Sequence, residues 1–197
     1  MAKIIKFPIP TPEKFGPQRV RKRKELRRDP SGQLNLFSGG KVVKLNQLTS
    51  FEEALLLDEQ GNKSQAKIGY RQAIEQEDSL PDAYCNLGII ECLEGAYAKA
   101  VDSFTQCLKI DPRHFEAHYN LANLYGEMGN FVLAKAHYEI SIQLEPSFPN
   151  SYFNLGLTLA MNKEFVEAIK VIRQFRKLAA PPDQALADDL IQKLMRC

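Results

Sequence analysis

Apolar positions in the C-terminal three-quarters of the chain recur at steps of three and four, and glycine or proline interrupts that step at regular intervals. Between residues 81 and 94, Tyr84, Leu87, Gly88, Ile90 and Cys92 mark one face of a helix. Gly95 then supplies a stop, because glycine readily takes the left-handed conformation that ends helices. A second helical pattern runs through Tyr97, Ala100, Val101, Phe104 and Leu108 and closes at Asp111-Pro112. Proline cannot donate to the helix ladder and restricts the residue before it, so this pair of helices forms a unit separated from the next.

The unit repeats. Ala66, Ala100, Ala134 and Ala168 are spaced by 34 residues, each followed four positions later by a bulky apolar residue: Tyr70, Phe104, Tyr138 and Ile172. Asn86, Asn120 and Asn154 keep the same step, as do Leu87, Leu121 and Leu155, Gly61, Gly95 and Gly129, and Pro112 and Pro146. A single hairpin of this kind cannot bury its own apolar face, whereas stacked hairpins bury a continuous core. The expected fold class is therefore all-α, an α-solenoid of about four hairpins.

These columns resemble the tetratricopeptide repeat, whose pattern is W-x2-L-G-x2-Y, then A-x3-F, then P. The second copy reads Tyr84-x2-Leu87-Gly88, Ala100-x3-Phe104, Pro112; the third reads His118-x2-Leu121-Ala122-x2-Tyr125, Ala134-x3-Tyr138, Pro146. The fourth has Tyr152, Leu155, Gly156, Ala168 and Ile172 but Ala180 in place of the closing proline, and the first carries Ser50 for the aromatic and Asp78 for the proline. The expected division is an arm over 1–46, repeats over 47–80, 81–114, 115–148 and 149–180, and a capping helix over 181–197 with Asp183 as its N-cap. In that last helix Ala185, Leu186, Leu190 and Leu194 form the expected buried face.

The resemblance implies a non-catalytic scaffold that holds a partner's protein or peptide segment in a concave groove lined by the first helix of each hairpin. If Tyr84, Leu87 and Gly88 face the second helix, then Cys85, Ile89 and Cys92 lie on the neighbouring face. Tyr119, Asn123 and Gly126, and Phe153, Leu157 and Ala160, are their counterparts. The column of Asn86, Asn120 and Asn154 borders this face, and asparagine both donates to and accepts from a peptide backbone. Relatives that clamp a chaperone's C-terminal carboxylate use Lys and Arg in the groove. Here the matching places hold Phe51, Leu55, Glu116 and Asn120, and with Asp82 and Glu116 on the rim an apolar or basic segment fits better.

Charge changes the picture at the N-terminus. Residues 1–46 carry 12 Lys/Arg against 3 Asp/Glu, while the remainder carries 14 against 21, so a total of +2 conceals a basic arm on an acidic body. Rich in Pro, Gly and cations and without periodicity, the arm is expected to be largely disordered. Arg19, Arg21, Lys22, Arg23, Lys24, Arg27 and Arg28 form a run suited to nucleic acid or another acidic partner, or to the acidic repeats of the same chain. Beyond it, Gln33, Leu34, Asn35, Leu36 and Phe37 resemble the short Q-L-[S/D]-L-F peptide by which bacterial replication and repair proteins dock on the sliding clamp. A nucleic-acid-associated protein recruited through these two features is the alternative reading.

Chemistry adds little. There is no phosphate-binding Gly-rich loop and no nucleophile elbow, so neither enzyme activity nor a cofactor is expected. His114 and His118 share a helical spacing, but His118 occupies the aromatic column and no third metal ligand accompanies them. Cys107 stands in the small-residue column of Ala73 and Ser141. Cys85 and Cys92, two turns apart, are about 10 Å distant and too far to bridge. Free thiols, no secretory leader and no long apolar run point to a cytoplasmic protein without membrane contact.

Overall fold

The computed structural model describes residues 17–20 and 48–196. Nine helices make up the described part after residue 48: α1 (Ser50–Glu59), α2 (Lys63–Glu75), α3 (Leu80–Leu93), α4 (Tyr97–Ile110), α5 (Phe115–Glu127), α6 (Phe131–Leu144), α7 (Pro149–Met161), α8 (Phe165–Leu178) and α9 (Pro181–Leu194). Consecutive helices pack in antiparallel pairs, and α3, α5 and α7 also touch one another as an inner row. The chain is thus a stack of four helix hairpins closed by α9. None of the described helices is long and apolar enough to cross a membrane.

The repeat columns become the packing units. Ala66, Ala100, Ala134 and Ala168 are wholly buried, and beside them Tyr70, Phe104 and Ile172 are also inaccessible to solvent. A Cβ added at Gly88 would meet the Phe104 ring at 2.8 Å, so the ring occupies the space glycine leaves. In the first hairpin the glycine answers to backbone as well as side chain: a Cβ at Gly69 would lie 2.8 Å from Ala54 Cβ and 3.2 Å from its Cα.

Each first helix ends in the same device. At Gly95 (φ +73°) the N–H donates to Cys92 O while Ala96 N–H donates to Glu91 O, the paired bonds of a Schellman cap. Gly61 and Gly129 repeat it; in the fourth hairpin Lys163 takes the left-handed position (φ +65°) with the same two bonds, to Ala160 O and Leu159 O. The first hairpin, weak in the sequence pattern, starts with a full capping box. Thr49 Oγ1 accepts from Glu52 N–H at 3.3 Å and Glu52 Oε2 accepts from Thr49 N–H at 2.9 Å. Lacking a proline, it joins the second hairpin through Glu77 and Ser79, both left-handed.

Two expectations for the last helix are corrected. Its N-cap is Ala180 rather than Asp183, because Pro181 and Pro182 enter the first turn, where a missing N–H costs nothing. Its buried face is Ala187, Leu190 and Leu194, packed in one cluster with Ile172 and Phe175, while Ala185 is exposed. The helix seals the apolar end of the stack, as a solenoid's terminal cover must.

Candidate functional site

Of the N-terminal arm only Pro17–Val20 is among the described residues, and those four lie extended along the inner row of helices. Asn86 on α3 receives Val20 N–H on Oδ1 at 2.9 Å and donates from Nδ2 to Val20 O at 3.1 Å. One repeat later, Asn120 on α5 receives Gln18 N–H at 2.7 Å and donates to Gln18 O at 2.8 Å. In an extended chain the N–H and C=O of one residue point to one side, and residues two apart share that side. The two amides therefore act as a short substitute for a neighbouring β-strand.

The side chains of the segment are held as well. Val20 is 1% exposed and joins the core cluster containing Cys85, Ile89, Leu121 and Leu124. Arg19 Nε lies 2.9 Å from Asp58 Oδ2, at the end of α1. Asp58 is buried, and that burial pushes its carboxyl above the ordinary range against the pull of Arg19 and the Tyr70 hydroxyl. Tyr70 O–H donates to Asp58 Oδ2 at 3.4 Å and accepts from Asn86 Nδ2 at 3.3 Å, so the ion pair and the backbone clamp form one network. A cavity of about 530 Å³ opens beside Pro17, Gln18, Arg19 and Glu116.

The attachment is close to balanced. Four hydrogen bonds at about 1 kcal/mol each and one buried valine at about 2 kcal/mol amount to ~6 kcal/mol. Ordering four residues costs roughly 4–8 kcal/mol.

The other residues expected in the groove divide into two groups. Cys85, Ile89, Tyr119 and Phe153 are at most 1% exposed and belong to the cores. Tyr119 packs edge-on against Phe148 and Phe153 packs against Phe175, so neither offers a free face. Asn154 turns inward, donating to Tyr119 Oη at 3.0 Å and Asn123 Oδ1 at 2.9 Å, and Asn123 also accepts from the Tyr138 hydroxyl. Leu157 is half-buried against the same cluster. Arg21, Lys22, Arg23, Lys24, Arg27, Arg28 and the Gln33, Leu34, Leu36, Phe37 peptide lie outside the described residues, as does most of the arm expected to be disordered.

Asp58 is a functional candidate absent from the sequence-based expectations. Carried back one period, the column of Cys92, Gly126 and Ala160 arrives at Asp58, and a carboxylate in a column of small or apolar residues is the signal. Asp82, His114 and Cys107 also come together, in the order carboxylate, imidazole, thiol. His114 Nε2 is 3.0 Å from Asp82 Oδ1, but its Nδ1 caps α5 by accepting Ala117 N–H at 3.1 Å. Cys107 has no exposed surface, so the set meets no substrate. His118 is buried against His137, their Nδ1 atoms 3.0 Å apart. Among the described residues no three His, Cys, Asp or Glu side chains are grouped as metal ligands would be.

Comparison with known proteins gives a consistent family. The sequence profile of the tetratricopeptide repeat matches residues 115–148, and a second TPR repeat profile matches 88–129. Among curated proteins, the tetratricopeptide repeat protein 27 homolog of Dictyostelium discoideum is 31% identical over 110 residues, 55% of this chain. The chain spans only about 12–15% of the length of the curated relatives it matches. Among solved structures, Pseudomonas aeruginosa PilF superposes with a TM-score of 0.67 at 23% identity, covering 75% of this chain and 66% of that one. YrrB, described as a TPR protein with an unusual peptide-binding site, superposes with a TM-score of 0.60 at 22% identity, covering 70% of each chain.

Proposed function

Since this chain is a tetratricopeptide repeat protein, we propose that it works as a non-catalytic adaptor that holds an extended peptide of a partner protein along its inner helices. The observation that carries this reading is the two-point grip of Asn86 and Asn120 on the backbone of an extended segment. Amides that bind main chain tolerate many sequences, and the helices behind them are rigid, which is the format of a reusable peptide holder. The unusual peptide-binding site of YrrB and the HSP90 peptide bound to the RPAP3 repeat agree with that format. A reducing compartment such as the cytoplasm suits the free thiols Cys85, Cys92 and Cys107.

An array of short peptides probed with the full chain carrying Arg19→Ala/Val20→Asp, which frees the two amides from Pro17–Val20, tests the proposal. A subset of peptides is expected to bind, and the Asn86→Ala/Asn120→Ala variant should lose about 10-fold or more in affinity for them, the equivalent of one or two lost hydrogen bonds. Binding that is unchanged in the double variant places the site elsewhere, and no binding to any peptide removes the adaptor reading. Nucleic-acid association through the basic run has less support: the one member of that run described, Arg19, is engaged by a carboxylate of its own chain.

A further inference from the structure

The peptide in the groove belongs to the chain itself, and its contacts define what a competitor must offer. Asn86 and Asn120 each use both an N–H and a C=O of residues two apart, so neither of those residues can be proline and the backbone between them must be extended. The segment runs from α5 toward α3, opposite to the order of the repeats. Its middle side chain meets Asp58, a wholly buried carboxylate whose Oδ1 has no hydrogen bond. Its last side chain, Val20, is 1% exposed in an apolar place shared with Cys85, Ile89 and Leu121, where added side-chain volume has to displace packed atoms. An acidic side chain in the middle position would face Asp58, and Glu116 lines the cavity alongside.

From this geometry we infer that the groove selects an extended segment in which an arginine immediately precedes a small branched apolar residue, and that Pro17–Val20 is a resident copy of that ligand which a partner's segment has to displace. The inference rests on the adaptor reading and adds sequence selectivity and self-occlusion to it. A groove occupied part of the time shows an apparent affinity reduced by the fraction that is open. Emptying it therefore strengthens capture of a partner without adding a contact.

The test uses the full chain and a fluorescent synthetic peptide of residues 15–21, followed by anisotropy. The Arg19→Ala/Val20→Asp chain, with its groove vacated, is expected to bind the peptide about 2- to 10-fold tighter than wild type, as an attachment near balance allows. In the vacated chain, Asp58→Asn should weaken the arginine peptide by about 10-fold while leaving a peptide with norleucine in place of Arg19 nearly unchanged. A peptide with Glu in place of Arg19 should not bind. Equal binding by wild-type and vacated chains overturns self-occlusion, and equal binding of the arginine, norleucine and glutamate peptides overturns the selectivity. If the vacated chain instead binds unrelated array peptides in an Asn86- and Asn120-dependent way, selectivity fails and the adaptor reading stands; if it binds none, both fail.

Tryptic cleavage of the otherwise unaltered chain after Arg19 provides a second measure that does not depend on the vacating substitutions. Protection of the Arg19–Val20 bond should fall in Asn86→Ala, and excess competing peptide should lower it in wild type; unchanged protection in both overturns the resident contact. Light scattering should give the mass of one chain. A two-chain mass that falls to one in the vacated variant would show the segment in a neighbour's groove and overturn the resident-copy assignment.

Discussion

His137, on α6, stacks on Tyr125 and shares a hydrogen bond with His118. With His118 Nε2–H donating to Pro112 O at 3.2 Å, its Nδ1 is left to accept from His137 Nδ1–H, which requires the His118 ring to be neutral. Burial and then the neighbouring imidazole push the His137 pKa down from 6.5 to about 4, and burial lowers that of His118 as well. The unfolded chain consequently binds more protons than the folded one between these values. The contribution is complete above about pH 6.5, declines as the pH falls, and is lost by about pH 4. In His137→Asn the drop in melting temperature between about pH 7 and about pH 5 should be smaller than in wild type. An equal drop in both proteins would show that the pair does not sense pH.

At the level of the element, the Schellman caps that end the first helices of the four hairpins differ in one respect. Three place glycine at the left-handed position, and the fourth places Lys163 there at φ +65°. A residue with a Cβ pays a local steric penalty in that conformation that glycine avoids. Lys163→Gly keeps both cap bonds and should stabilise the fold by about 0.5–1 kcal/mol after the unfolded-state entropy of glycine is counted, read as a higher melting temperature. Gly69 is the opposite case, an ordinary helical glycine required by proximity. Gly69→Ala would press its Cβ against Ala54 backbone and force α1 and α2 apart, at a cost of about 1–3 kcal/mol measured by denaturant melts. An unchanged midpoint would mean the first hairpin relaxes freely.

In the whole molecule, stability passes between neighbouring hairpins, and each end needs a cover. At the C-terminal end Leu190, 1% exposed, belongs to the cluster that α9 completes with Ile172 and Phe175. Leu190→Ala should cost about 2–5 kcal/mol, with the loss concentrated in α8 and α9 when hydrogen exchange is followed by segment. Uniform loss along the stack would argue for a single cooperative unit. Pro17–Val20 bridges α1, α3 and α5, and its gains and ordering costs nearly cancel. Removing it should therefore change global stability far less than Leu190→Ala does.

The architecture was legible in the sequence because a 34-residue period imposes the same local contacts in every copy. Ala66, Ala100, Ala134 and Ala168, with the aromatic or branched residue four positions on, define the hairpins without any long-range information. The columns also marked Asn86, Asn120 and Asn154 as amides able to hold a main chain; Asn86 and Asn120 bond the backbone of this chain's own Val20 and Gln18, and Asn154 turns inward. Which groove residues stay accessible was not legible: a column records which face a residue lies on, but the neighbouring hairpin and Val20 decide whether that face is covered. Nor does periodicity reveal that Arg19 meets Asp58, a contact between residues 39 positions apart in a segment with no repeat. Only the folded stack sets the distance and burial that turn one irregular carboxylate in a small-residue column into a partner for arginine.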